Sequence, residues 1–158
     1  MANSDIVKLV SSLLFTVGLG SLGGIFTISE IPNWYAGLQK PSFNPPNWIF
    51  GPVWTLLYIL MGISVYLIWK QPDSNIRNTA LLLFVVQFIL NFCWSIIFFK
   101  LHQTGWALVE IIAMWMFIFL TILWFGKLSS TASWLVVPYI SWVSFATLLN
   151  AAIWKLNS

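Results

Sequence analysis

TALLLFVVQFILNFCWSIIFF, residues Thr79–Phe99, decides the fold. The run holds 21 residues and no charge, with Arg77 just before it and Lys100 just after. At 1.5 Å per residue such a helix reaches about 30 Å, the thickness of a bilayer's hydrocarbon core. Its apolarity is continuous rather than alternating, and in lipid the backbone must satisfy its own hydrogen bonds. Both facts favour a helix over a strand. Working outward, similar windows run over residues 6–28 and 48–69 before it, and 105–125 and 132–154 after it. The breaks between them are residues 29–47, 70–78, 100–104 and 126–131. The expectation is an all-α membrane protein, a five-transmembrane-helix bundle forming a single domain over residues 1–158. An odd number of spans puts the termini on opposite sides. The first window does not read as a signal peptide, because Asp5 precedes Lys8 and the apolar run is too long.

Composition agrees. Only 7 Lys and Arg and 4 Asp and Glu serve 158 residues, so 7% of the chain is charged where a soluble domain carries about 25%. Hydrophobic residues make up 59%, and the mean hydropathy is +0.88. A water-soluble domain and a disordered chain are both excluded, and one cysteine excludes a disulfide scaffold. The net charge of +3 is too small to point to nucleic acid; the lipid bilayer is the expected partner. Lys8, Lys70, Arg77 and Lys127 fall on one side and Lys40, Lys100 and Lys155 on the other, which fixes no orientation. The lack of an extended polar tail at either end points to a prokaryotic cell membrane.

The first connection, residues 29–47, is the long one, and loops of this length are often functional. Pro32, Pro41, Pro45, Pro46 and Pro52 crowd into and just beyond it. Proline fixes φ and lowers the entropy lost on ordering, so this loop reads as a packed lid rather than a floppy linker. The plainer alternative is an interfacial loop with Trp34, Tyr35 and Trp48 in the headgroup belt. Asn44-Pro45-Pro46 reads as a helix start with Asn44 as cap, and Pro52 falls inside the second helix, where it is expected to bend it.

Polar and aromatic residues inside the spans mark helix contacts or a site. Gln87, Asn91, Trp94 and Phe98 share one face of the third helix, and Tyr139, Trp142, Ala146 and Asn150 one face of the fifth. The second helix offers Trp54, Tyr58 and Met61, the fourth Trp106 and Glu110. The inference is a cavity lined by indoles and two carboxamides, suited to a large, flat, apolar ligand with a few acceptors. The alternative is that Asn91 and Asn150 are structural ties between helices. Glu110 lies about 7.5 Å into the fourth helix and reads as a structural or loop-pairing residue. His102, in a short loop, is either solvated or, if it faces the cavity, an axial haem ligand. Cys93 reads as an inert thiol. Gly20 and Gly24 form a GxxxG that permits close contact within the bundle or in a dimer. No paired carboxylates, metal cluster, nucleophile set or phosphate loop is present, so no metal and no required cofactor are expected.

The stretch WYAGLQKPSFNPPNWIFGPVWTLLYILMG (Trp34–Gly62) resembles the translocator protein family, called tryptophan-rich sensory protein in bacteria and peripheral benzodiazepine receptor in animals. The likeness continues through Leu90–Trp94, Ile96–Phe99, Gly105–Leu108, Val137–Trp142 and Phe145–Asn150. It implies a five-helix bundle, usually a homodimer, with a pocket under the first loop that takes porphyrins, haem-pathway intermediates and benzodiazepine-site drugs. It carries the pocket onto Trp54, Asn91, Trp94, Trp106, Trp142, Ala146, Leu149 and Asn150; Trp48 and Tyr58 complete the candidate lining. Some bacterial members degrade protoporphyrin IX in light, and the resemblance gives that role to Trp54 and Trp142. Animal members bind cholesterol through a motif with a Tyr before a basic residue. Here Ala151 and Ala152 precede Lys155, a departure from that motif. Three readings follow: a membrane receptor or sensor for tetrapyrroles, a light-dependent porphyrin-degrading enzyme, and a transporter. Against the last, the chain shows no internal repeat and no paired broken helices.

Overall fold

The computed structural model describes residues 3–158. Five helices are long and apolar enough to cross a bilayer: Ser4–Glu30, Asn47–Trp69, Asn75–Lys100, Thr104–Gly126 and Ser130–Asn157. The described residues contain no strand. The expected fold class is the observed one, and each span outruns its apolar window; at the third and fifth spans a capping serine sets the start. Ser74 Oγ accepts the Arg77 N–H at 3.2 Å, and Ser129 Oγ accepts the Ala132 N–H at 3.2 Å. Each hydroxyl satisfies an amide that the helix itself leaves unpaired.

Two expectations about helix starts are corrected. Asn44 caps nothing: its Oδ1 accepts from the Tyr35 hydroxyl, and its Nδ2 donates to the Pro45 carbonyl. The second span begins instead with a 3₁₀ turn at Asn47–Ile49. Pro52 then lies in the first turn of the α-helix Phe50–Trp69, where a missing N–H costs no intrahelical bond, and no bend is needed. Pro138 is the proline inside a helix interior, in the fifth span.

Short turns at Leu101–Gln103 and Lys127–Ser129 make the third, fourth and fifth spans antiparallel neighbours. His102 takes φ 56° in the first of these, a left-handed residue that reverses the chain tightly. The first span divides its contacts. A π-helical segment, Leu14–Leu19, separates the α-helices Asn3–Leu13 and Gly20–Glu30. Up to and within that segment the span packs on the second, with Leu13 and Thr16 against Gly62. After it, Gly23 faces Phe92 and Ser95 of the third span. Of the GxxxG pair, Gly20 lies within the bundle against the Tyr58 ring, while Gly24 meets nothing.

Polar ties cross the bundle as apolar packing requires. Ser64 donates to the Ala132 carbonyl at 2.7 Å, joining the second and fifth spans. Trp115 Nε1 donates to Ser144 at 2.7 Å, and Ser133 to the Ile122 carbonyl at 2.9 Å, joining the fourth and fifth. One buried cluster, including Met61, Phe84, Phe88, Met114 and Tyr139, fills the half of the bundle nearer the 70–74 turn. A second, built on Tyr35, Phe98, Phe99, Leu149 and Ile153, lies under the first loop. The cavity sits where the two meet.

Candidate functional site

The first loop folds as a roof. After the first span ends at Glu30, a short helix, Trp34–Gly37, drives Tyr35 into the bundle, where it is 3% exposed. Its ring packs on Phe98 and Phe99 at 6.3 and 5.8 Å, and its hydroxyl donates to Asn44 Oδ1 at 2.8 Å. Burial pushes the Tyr35 hydroxyl up to about 12, while the Asn44 bond pulls the other way. Trp34 meets the Phe98 edge at 5.5 Å and stacks on His102 at 4.2 Å. Trp34 and Tyr35 thus fasten the first loop to the third span.

Below the roof lies a cavity of about 420 Å³, within the size range of small-molecule sites. Every span contributes to its wall. The second brings Trp48, Trp54 and Tyr58; the third Trp94 and Phe98; the fourth Ile111 and Met114. The fifth brings Trp142, Ala146, Leu149 and Asn150, and the first Gly20, Gly24 and Ile28. Eight of the ten candidate residues are thus brought together. Helical spacing explains it: Trp142, Ala146 and Asn150 recur at one-turn intervals and so share the inward face.

Two candidates stand elsewhere. Asn91 is buried behind the wall, where its Oδ1 accepts from Tyr58 at 3.0 Å and its Nδ2 donates to Tyr139 at 3.1 Å. Trp106 is 69% exposed and does not line the cavity, a correction to the sequence-based expectation. Phase along the fourth helix is the cause: Ala107, Ile111, Met114 and Ile118 take the buried face, and residue 106 falls off it. Gln87, on the same sequence face as Asn91, is buried without a hydrogen-bond partner among the described residues and does not reach the cavity.

The polar chemistry of the wall is sparse and specific. Trp94 Nε1 donates to Asn150 Oδ1 at 3.1 Å, and Asn150 Nδ2 donates to the Thr104 carbonyl at 2.8 Å. That indole is committed to a tie between spans. Trp54 packs edge-on to Tyr139 at 6.1 Å, and Trp142 against Phe50 at 6.0 Å. Neither of their Nε1–H groups has a partner among the described residues. His102 lies outside the wall with its Nε2 3.3 Å from Glu30 Oε2, so it offers no axial ligand to the cavity. Glu110 pairs with no loop residue: both carboxylate oxygens are buried without a partner among the described residues. Sequence reasoning missed Ile111, Met114 and the glycine wall of the first span, because apolar residues carry no marker that separates a cavity from packed core.

The sequence pattern of the TspO/MBR family matches residues 12–155, from the first span to the end of the fifth. The chain belongs to the TspO/MBR family. It is 45% identical to a tryptophan-rich protein TspO of Archaeoglobus fulgidus, over 98% of this chain and 99% of that one. It is 40% identical to the human translocator protein over 86% of this chain and 82% of that one. A tryptophan-rich sensory protein of Cereibacter sphaeroides is 32% identical over 92% and 90%. As a TspO/MBR protein with five apolar helices, it is a multi-pass integral membrane protein in a lipid bilayer.

Proposed function

We propose that the protein is a membrane receptor or sensor that binds a tetrapyrrole, a porphyrin or haem, or another flat ligand of the benzodiazepine-site kind. The observation that carries this reading is the aromatic cavity lined by Trp54 and Trp142, whose indole N–H groups have no partner among the described residues. Rings of the wall offer stacking area, and the two donors match a few acceptors on an otherwise apolar body. His102 is engaged by Glu30 and Trp34, so in this reading a porphyrin is held by stacking and not through its central atom. The names of relatives, one sensory and others translocators, support small-molecule recognition in a membrane. The reading includes a homodimer, which chemical crosslinking in a bilayer would count.

Titration with protoporphyrin IX, followed by porphyrin absorbance, tests it. Saturable binding is expected, weakened in Trp54→Ala and Trp142→Ala. Absence of saturation, or parent affinity in both variants, would overturn the reading.

A second reading, light-driven porphyrin degradation, is favoured by one observation: Trp54 and Trp142 line the same cavity. Under illumination with oxygen it predicts new absorbing products that are lost in Trp54→Phe and Trp142→Phe. Undiminished turnover in both variants rejects it.

A further inference from the structure

The cavity is closed above and open at its side. Above, the roof is tied at both edges. Asn157 Nδ2 donates to the Gln39 carbonyl and its Oδ1 accepts the Gln39 N–H, both at 2.9 Å. Glu30 and His102 meet at 3.3 Å, and the Tyr35–Asn44 bond holds the middle.

At the side, the first and second spans part. They pack closely where Leu13 and Thr16 meet Gly62. Beyond the π-helical segment Leu14–Leu19 the first span leans on the third instead, with Phe26 and Phe92 rings 6.1 Å apart. A π-turn inserts an extra residue per turn and so rotates the faces on either side of it relative to each other. The gap left behind is edged by Gly24 on one span and Gly51 on the other; a methyl group added at either would meet nothing within 4 Å. Ile28 and Trp48 line the cavity and are also 72% and 73% exposed, so they stand at an opening rather than inside a closed wall. The rim is chemically quiet. Ser21 gives its hydroxyl proton to the Val17 carbonyl at 2.6 Å and Thr55 gives its own to Gly51 at 2.9 Å.

We propose that this gap is the ligand entrance, and that the ligand reaches the cavity by lateral diffusion within the bilayer. The proposal rests on the receptor reading and narrows its ligand class to an amphiphile whose flat apolar body partitions among acyl chains. The competing route, through the roof, breaks the Gln39–Asn157 pair and the Tyr35–Asn44 bond and wets the apolar surface under Tyr35. The lateral route breaks no hydrogen bond. Helical backbone on both rims is already satisfied, and lipid tails cover an apolar rim as well as side chains do. Two glycine-edged rims leave a slot through which a planar ring system passes edge-on.

Stopped-flow exchange of protoporphyrin IX with the full chain in lipid nanodiscs separates the routes. Gly51→Phe and Gly24→Leu fill the slot from opposite rims. Each is expected to slow association and dissociation by about tenfold, within the range over which association rates vary among mutants of one site. Asn157→Ala removes the clamp on Gln39 and is expected to leave both rates at the parent value. If one glycine variant does not fold, the other decides. Parent rates in the folded glycine variants would overturn the lateral entrance, as would faster exchange in Asn157→Ala. Absence of saturable binding by the parent would instead overturn the receptor reading, and the entrance with it.

Discussion

Tyr58 donates its hydroxyl proton to Asn91 Oδ1 at 3.0 Å, and this bond anchors the cavity wall to the buried interior of the third span. Asn91 Nδ2 passes the chain on to the Tyr139 hydroxyl at 3.1 Å, and Tyr139 faces Met114 Sδ at 3.6 Å. One carboxamide therefore links three spans, and Tyr139 carries the chain to a fourth, at a depth where no bulk water replaces a lost partner. Tyr58→Phe removes one interhelical bond and should cost about 0.6 kcal/mol. Asn91→Ala removes two interhelical bonds at once, leaves the Tyr58 hydroxyl without a partner, and should cost about 2 kcal/mol. Thermal unfolding in detergent, followed by circular dichroism, checks the order; equal losses would mean that Asn91 holds only one of the two tyrosines.

The glycines divide by what faces them. A Cβ at Gly62 would lie 2.6 Å from Thr16 Oγ1 and 3.2 Å from the Leu13 Cα, and the second of these is backbone that cannot rotate away. Gly62→Ala should therefore push the first span outward and destabilise the bundle by about 1–3 kcal/mol, the usual cost of overpacking. At Gly18 nothing lies within 4 Å, so Gly18→Ala should be neutral or stabilising by up to about 1 kcal/mol through helix propensity. The same melting measurement compares the two. A Gly62→Ala protein as stable as its parent would show that the first and second spans are not in contact there.

The five spans were legible because each is a long apolar run with at most one charge, and a bilayer favours one conformation for such runs. The wall positions Trp142, Ala146 and Asn150 were legible from their spacing. Trp106 was not. In a membrane helix the lipid-facing side is as apolar as the bundle-facing side: exposed Val109, Ile112 and Met116 look no different in type from buried Ile111, Met114 and Ile118. The amphipathic signal that orients a soluble helix is absent. Polar residues restore it where they occur, as Asn91 and Asn150 do for the third and fifth spans. Near Trp106 the fourth span offered only Glu110. The π-helical turn at Leu14–Leu19 was also unreadable, since LFTVGL carries neither proline nor any residue foreign to an α-helix. Asn44 misled for a different reason: the Tyr35 hydroxyl competes for the side chain that would have capped a helix.

Tyr35 gives the roof a signature in alkali. Burial pushes its hydroxyl from 10.0 up to about 12, with the Asn44 bond pulling partly back. The folded chain thus holds this proton more tightly than the unfolded chain. The associated stability is whole below pH 10 and falls as pH rises from 10 through about 12. Phenolate absorbance of the parent minus that of Tyr35→Phe should show one step near pH 12. A step near 10 would mean that Tyr35 is solvated and the roof is not packed.

Trp142 and Trp106 make the sharpest contrast, because the sequence treats them alike and the fold does not. Trp142 lines the cavity with its ring 6.0 Å from Phe50 and 5.5 Å from Phe145. Trp106 is 69% exposed on the outer surface of the fourth span. Truncating a large aromatic at the centre of a binding site commonly costs about 2 kcal/mol or more, whereas an indole outside the site contributes nothing to the bound state. Trp142→Ala should therefore weaken protoporphyrin IX binding about thirtyfold, since about 1.4 kcal/mol is a factor of ten. Trp106→Ala should bind as the parent does. Equilibrium titration of both variants, with helical content checked by circular dichroism, decides the matter. Equal weakening in the two would require Trp106 to turn inward on binding, so that the ligand met a different wall.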